Sequence, residues 1–462
     1  MNDNKQMATE SIPKLLFKLA TPAIIAQIVN VLYTIVDRIF IGRMDNGEMA
    51  MAGVGVAFPI ILIINAFSSL VGMGGAPLVA IKTGEKNNDE AEKIMSTAFV
   101  MLIGLAVILT AGIFIFKEDL LWMFGASNET IGYSVDYLSI YSIGTVFVMI
   151  SLGMNPYINT QGFAKIGMLT VAIGAVTNIV LDPIFIFGFD MGVKGAALAT
   201  IISQGVSAAW ALSFLFGKKT ILKIRKQYTK LDKTIVKTIV SLGIANFIMQ
   251  STESLVLISL NTKLQMYGGD LAVGAMTIMS SIMQIVLLPT AGLTQGSQPI
   301  ISYNYGANNM DRVRSTFKLT LKLAFLYTAI MWLALQTLPE VFVQVFNDDP
   351  ALMEITTWSI KIYFGFTFMF GIQVACQSTL VSLGQAKISL FLALLRKVIL
   401  LVPLIYILPS LPFMEDKLFS VLLAQPIADF LAVSITAVTF MKFYKTKLGN
   451  KKVEEKQISL NH

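Results

Sequence analysis

The run Gly74-Gly75-Ala76-Pro77, continuing through Gly84, Asn87 and Asp89, returns later in the chain as Gly296-Ser297-Gln298-Pro299, continuing through Gly306, Asn309 and Asp311. Each matching pair is 222 positions apart, and the same offset joins Gly47 to Gly269, Ala50 to Ala272, Gly162 to Gly384 and Lys165 to Lys387. One coincidence would mean little, but a constant offset over so long a stretch means two homologous halves.

Around these repeats the sequence is apolar. Only 14% of the 462 residues are charged, against about a quarter in a soluble domain, so lipid is the expected solvent. Apolar runs long enough to cross a bilayer fall at 15–41, 50–81, 95–116, 133–160, 166–189, 196–216, 236–266, 271–303, 318–338, 355–382, 388–411 and 418–441. The predicted fold is an all-α integral membrane protein of twelve transmembrane helices, in two six-helix bundles related by an internal parallel repeat. Such a repeat has its axis along the membrane normal and a cavity between the bundles, which favours alternating access. The expected divisions are a first bundle at 1–216, a basic linker at 217–235, a second bundle at 236–443 and a tail at 444–462. The first run is followed at once by another span and reads as a span, not a cleaved leader.

Orientation follows from the basic residues. The connection between the halves carries Lys218, Lys219, Lys223, Arg225, Lys226, Lys230, Lys233 and Lys237 against one acid, Asp232, and the tail adds Lys442, Lys445, Lys447, Lys451, Lys452 and Lys456. Connections on the other side hold at most one basic residue each, such as Arg43, Lys117, Lys194, Lys263 and Lys417. The linker and both termini are therefore predicted on the cytoplasmic side of the plasma membrane, and the net charge of +7 reports topology and attraction to anionic lipid, not nucleic acid. A single cysteine, Cys376, and a single histidine, His462, exclude an internal disulfide and histidine-based metal or triad chemistry. No GxxxxGK[ST] loop occurs, so no ATP-binding partner is expected. The chain reads as a non-enzyme and a monomer, with no cofactor beyond a transported coupling ion.

The chain resembles the multidrug and toxic compound extrusion (MATE) transporter family, and within it the MepA-like branch, over all twelve spans. The most specific matches are Val36-Asp37-Arg38-Ile39-Phe40-Ile41-Gly42, the run Asn178-Ile179-Val180-Leu181-Asp182-Pro183-Ile184-Phe185-Ile186-Phe187-Gly188, and Gly195-Ala196-Ala197-Leu198-Ala199-Thr200. The resemblance implies an antiporter, coupled to Na⁺ or H⁺, that exports amphipathic, mostly cationic drugs.

Ionisable residues inside a bilayer are costly and point to function. Asp37, Asn178, Asp182 and Thr200 are predicted at a similar depth in the first half, with Asn178 one turn from Asp182 on the same face. Several oxygens suit Na⁺, and a carboxylate pair suits a shared proton; the neutral oxygens of Asn178 and Thr200 tilt the reading towards Na⁺. The resemblance puts these four residues at the family's first-half cation-site positions, with the Ala196 carbonyl as a further ligand. The blander readings are that Asp182 serves backbone freed by Pro183 and that Thr200 bonds its own preceding turn.

In the second half Glu253 lies near the middle of span seven, with Gln250 a turn away and Gln27 as the latter's counterpart in span one. The resemblance makes Glu253 a carboxylate for coupling or for a cationic substrate; the alternative is a structural pair with another helix. Relatives carry proline and aspartate where this chain has Ala245 and Phe370, so no second cation site of that type is expected. Arg396 (with Lys397) and Asp429 lie on adjacent spans and read as a neutralising structural pair. Met154, Met249, Met279 and Met283 are expected to border the cavity, where flexible thioethers accept varied ligands. The competing function is a lipid-linked saccharide flippase of the same superfamily, which would want basic residues in the cavity.

Overall fold

The computed structural model describes residues 2–44, 47–124, 126–228, 230–345 and 350–448. Ten helices in it are long and apolar enough to cross a membrane: Ile12–Gly42, Met49–Gly84, Asn88–Met123, Ala164–Gly188, Gly192–Phe216, Lys233–Gly269, Gly274–Gly306, Met310–Thr337, Ala386–Ser410 and Lys417–Leu448. Two bent pairs, Ile131–Ile143 with Thr145–Thr160 and Pro350–Tyr363 with Thr367–Ser382, turn by 59° and 49° and complete twelve spans. The bent spans are the fourth of each half. Spans seven and eight meet without a loop, broken only at Gly269, whose φ of 64° suits a residue without a Cβ.

The repeat extends to unusual backbone. Left-handed residues occur at Lys86 and Asn308 and at Gly162 and Gly384, all at the same offset. Asn87 accepts a hydrogen bond from the Glu90 amide (3.2 Å) and Asn309 from the Arg312 amide (3.4 Å), so the third span of each half opens with the same cap. Span five ends in π-helical turns at Ile184–Gly188, after Pro183, and span eleven carries them at Leu395–Leu401, before Pro403.

The halves meet closely at the end of the spans nearest the linker. A methyl group at Gly84 would collide with the Tyr303 carbonyl, and one at Gly306 with the Ile81 carbonyl. A methyl at Gly74 would strike span seven at Ile239 and Gly243, and one at Gly296 would strike span one at Ala20. The Phe67 and Phe247 rings, 4.9 Å apart, pack near this seam.

The linker packs on the first half. Gln161 accepts from Thr220 Oγ1 and the Ile221 and Leu222 amides at 2.8–3.0 Å. Glu92 receives the Arg225 guanidinium at 2.7 Å and the Lys223 amide at 2.9 Å. The Lys93 ammonium, 2.8 Å away, bonds Asp232 and, with the Thr234 and Ile235 amides, holds its carboxyl below the usual range. Helix extends beyond the expected spans at both ends of the described residues. Residues Tyr444–Leu448 continue span twelve as π-helix, so that much of the tail is helical; Lys451, Lys452 and Lys456 lie outside the described residues. A short helix, Asn2–Thr9, precedes span one, and Arg312 donates to the Met7 and Glu10 carbonyls at 2.9 and 2.8 Å.

Candidate functional site

Within the first half, spans one, four, five and six bring polar groups together. Asn178 and Asp182 are both buried, and Asn178 Nδ2 donates to Asp182 Oδ1 at 3.1 Å, as their four-residue spacing requires. Asp37 comes from span one to lie close enough to Asp182 for the two carboxyls to interact. Asp182 Oδ2 and Asn178 Oδ1 are enclosed and receive no N–H or O–H from the described protein. Two adjacent carboxylates in a low dielectric repel, so a positive charge between them, a proton or a metal ion, stabilises the arrangement.

Thr200 sits one step further out. Its hydroxyl donates to the Ala196 carbonyl at 3.0 Å, the back-bond to its own preceding turn, so that carbonyl already serves the helix. Between Thr200 and the carboxyls stands Tyr137, whose buried side chain lies close to both Thr200 and Asp37. Tyr137 stacks on Tyr141 with ring centroids 5.9 Å apart. Sequence reasoning missed Tyr137, although Tyr133, Tyr137 and Tyr141 recur every four residues along one face of span four.

A separate cavity of about 310 Å³ lies between the halves. Gln27, Asn30, Asn65, Asn155 and Asn159 line it from the first half, and Gln250, Gln295 and Gln298 from the second. Asn65 Oδ1, Asn155 Oδ1, Asn159 Oδ1 and Gln298 Nε2 are enclosed without a partner among the described residues. No charged side chain of the described residues is among its lining groups. A smaller pocket shares Asn30 and Leu152 with this cavity and reaches Tyr33, Ser203 and Gln204; Ser203 in turn donates to the Thr200 carbonyl at 2.7 Å.

Several expected cavity residues lie elsewhere. Met154 and Met279 are fully buried in the cores of their own halves, and Met283 packs against the second core. Met249 Sδ accepts from Gln377 at 3.3 Å and its carbonyl from Lys397 at 3.1 Å. Met73 and Met168 line the cavity instead. Composition could not separate these sites, because apolar side chains face lipid, core and cavity alike in a membrane protein.

The second half pairs its charges. Arg396 Nε meets Asp429 Oδ1 at 2.8 Å, with Asp429 buried and the Arg396 side chain mostly enclosed. Gln425 donates to the other Asp429 oxygen at 3.0 Å, and the Phe370 ring lies 4.6 Å from the guanidinium carbon. Glu253 is not a lone carboxylate: the Lys397 ammonium bonds it across the gap from span eleven to span seven. The two neighbouring bases thus have different carboxylates, whereas the sequence reading groups both with Asp429.

Residues 22–184 and 243–407 match the MatE family in two successive stretches, one in each half. The chain belongs to that family of multi-pass membrane transporters. It is 27% identical over 425 residues to the multidrug export protein MepA of Staphylococcus haemolyticus (strain JCSC1435), covering 92% of this chain and 93% of the relative. Among solved structures, the MATE multidrug transporter DinF-BH, captured in a ligand complex, is 34% identical at a TM-score of 0.87, covering 96% and 97% of the two chains. A MATE transporter in the bent conformation has a TM-score of 0.90 at 21% identity, covering 98% and 99%, a likeness of fold.

Proposed function

We propose that this protein is a multidrug efflux antiporter that works by alternating access, with the linker and both termini in the cytoplasm and an inward flow of Na⁺ or H⁺ driving export of amphipathic, mostly cationic compounds. The observation that carries the reading is the meeting of Asp37, Asp182 and Asn178 inside the first half, apart from the cavity between halves. A cation can then occupy one site while drug occupies another. The cation contributes only its differential affinity for the two conformations. Filling the carboxyl pair draws spans one and five together, and the small pocket at Asn30 and Tyr33 connects that movement to the drug cavity. The close glycine seam at the linker end supports a state in which the cavity is reached from the opposite side. The neutral amide lining of the cavity favours drug over the anionic headgroup of a lipid-linked saccharide, the competing cargo.

Proteoliposomes loaded with ethidium and given separate Na⁺ and pH gradients test this. Wild type is expected to transport under one gradient, and Asp37→Asn and Asp182→Asn to transport no faster than empty liposomes while keeping their fold. Transport by both variants at the wild-type rate would make the carboxyl pair structural. Wild-type response to ΔpH alone assigns the ion as H⁺, and response to Na⁺ alone assigns Na⁺.

A further inference from the structure

Glu253 and Lys397 form the one ion pair of the second half that joins span seven to the rest of the bundle, among the described residues. Its two members differ in setting. The Lys397 side chain is 11% exposed, whereas that of Glu253 is 68% exposed. The lysine is anchored: its ammonium also donates to the Met249 carbonyl at 3.1 Å, and it projects from the π-helical turns of span eleven, a backbone irregularity that often marks functional positions. The adjacent Arg396 is already committed to Asp429, so it does not supply a second base for Glu253. Glu253 stands one helical turn from Gln250, which lines the cavity.

We propose that Lys397 is a tethered cation that occupies Glu253 in place of substrate and thereby sets the threshold for cationic drugs. A drug cation and the lysine ammonium compete for one carboxylate. A drug that wins must leave the buried ammonium with the Met249 carbonyl as its remaining partner, and an uncompensated buried charge is costly. The pair therefore disfavours weakly bound cations and leaves uncharged drugs unaffected. It also gives the second half a two-state element: Lys397 on Glu253, which ties span seven to span eleven, or drug on Glu253, which releases it. This inference rests on the multidrug reading above and specifies how a carboxylate one turn beyond the cavity's Gln250 discriminates by charge.

The test is a thermodynamic cycle read by dye binding to purified protein. Ethidium serves as the cationic probe and chloramphenicol as the uncharged one, with wild type, Glu253→Gln, Lys397→Gln and the double variant. Lys397→Gln should bind ethidium about tenfold more tightly, the scale of one added charge contact. Glu253→Gln should change ethidium affinity by less than about twofold in the wild-type background, since its carboxylate is already occupied, yet cancel the gain in the Lys397→Gln background. Chloramphenicol affinity should be the same in all four. Unchanged or weakened ethidium binding in Lys397→Gln overturns the proposal, as does an equal shift for both probes, the mark of a structural role. A second measurement needs no variant. Ethidium, but not chloramphenicol, should raise the acylation rate of Lys397 in the wild-type protein, read by mass spectrometry, and an unchanged rate again overturns it. Should wild type neither bind nor export ethidium, the multidrug reading falls and this inference with it. Export with no coupling between Lys397 and Glu253 removes only the inference.

Discussion

The fifth span of each half carries the polar residues on or beside a π-helical stretch, yet the halves use that geometry oppositely. In the first half Asn178 and Asp182 precede the π-turns, and Asp182 meets Asn178 and Asp37, neither of them basic. In the second half Arg396 and Lys397 lie within the π-turns and each holds a carboxylate from another span. At the common offset Asp182 corresponds to Leu404 and Lys397 to Ala175, so each half lacks what the other keeps. Duplication supplied one scaffold with two places for charge. In the reading proposed above, the half with acids takes the coupling cation and the half with built-in bases regulates what its acids contact.

This contrast is sharpest where a pair is broken. Arg396→Ala is expected to destabilise the protein by about 3–5 kcal/mol, because it strands the buried Asp429 carboxylate, and thermal melting in detergent should show the loss. Arg396→Met with Asp429→Leu should recover most of it. A melt for Arg396→Ala indistinguishable from wild type would mean that the second half tolerates free charge as the first does, and the contrast would collapse.

A gentler probe lies in the first half. Tyr137→Phe removes the hydroxyl beside Thr200 without touching a carboxyl. The expected loss is about 0.5–1.5 kcal/mol, seen as a several-fold rise in the Na⁺ or H⁺ concentration for half-maximal transport with the maximal rate preserved. An unchanged cation dependence would place Tyr137 outside the site and leave Thr200 without a link to the carboxyls.

What can be read from the sequence follows the reach of helical geometry. The repeat, the twelve spans and the contact between Asn178 and Asp182 depend on offsets along the chain, and these are legible. The Arg396–Asp429 pair is legible because adjacent spans carry opposite charges at a similar depth. The partner of Lys397 and the place of Tyr137 depend on how each helix is rotated about its axis. In lipid an apolar stripe does not mark the inward face as it does in water, so Met154 and Met279, expected at the cavity, lie in the cores. Glu253 illustrates the same limit, since its neighbour lies on a span more than a hundred residues away.

The smallest expected effect concerns the linker. Asp232→Asn removes the Lys93 contact at the exposed start of span seven, and exposed pairs contribute little. The variant should transport normally and differ only in faster protease cutting between residues 217 and 232. In wild type the Lys93–Asp232 contact is complete above the ordinary aspartate range and is lost as the pH falls through the depressed value of Asp232, so the same cutting should quicken in acid. A change in drug selectivity would instead join the linker to the cavity and break the separation between topology and recognition.

The seam at Gly84 and Gly306 has a consequence for origins. Gly84 lies against the Tyr303 carbonyl and Gly306 against the Ile81 carbonyl, and Ile81 and Tyr303 are themselves counterparts at the repeat offset. The contact is isologous: each side presents the same patch to the other, as two identical subunits do across a two-fold axis. A half-length ancestor bearing one such glycine and one such carbonyl already owned both sides of the interface. Homodimerisation could thus precede gene fusion without any new surface, and the basic linker has only to join two pieces that already fit.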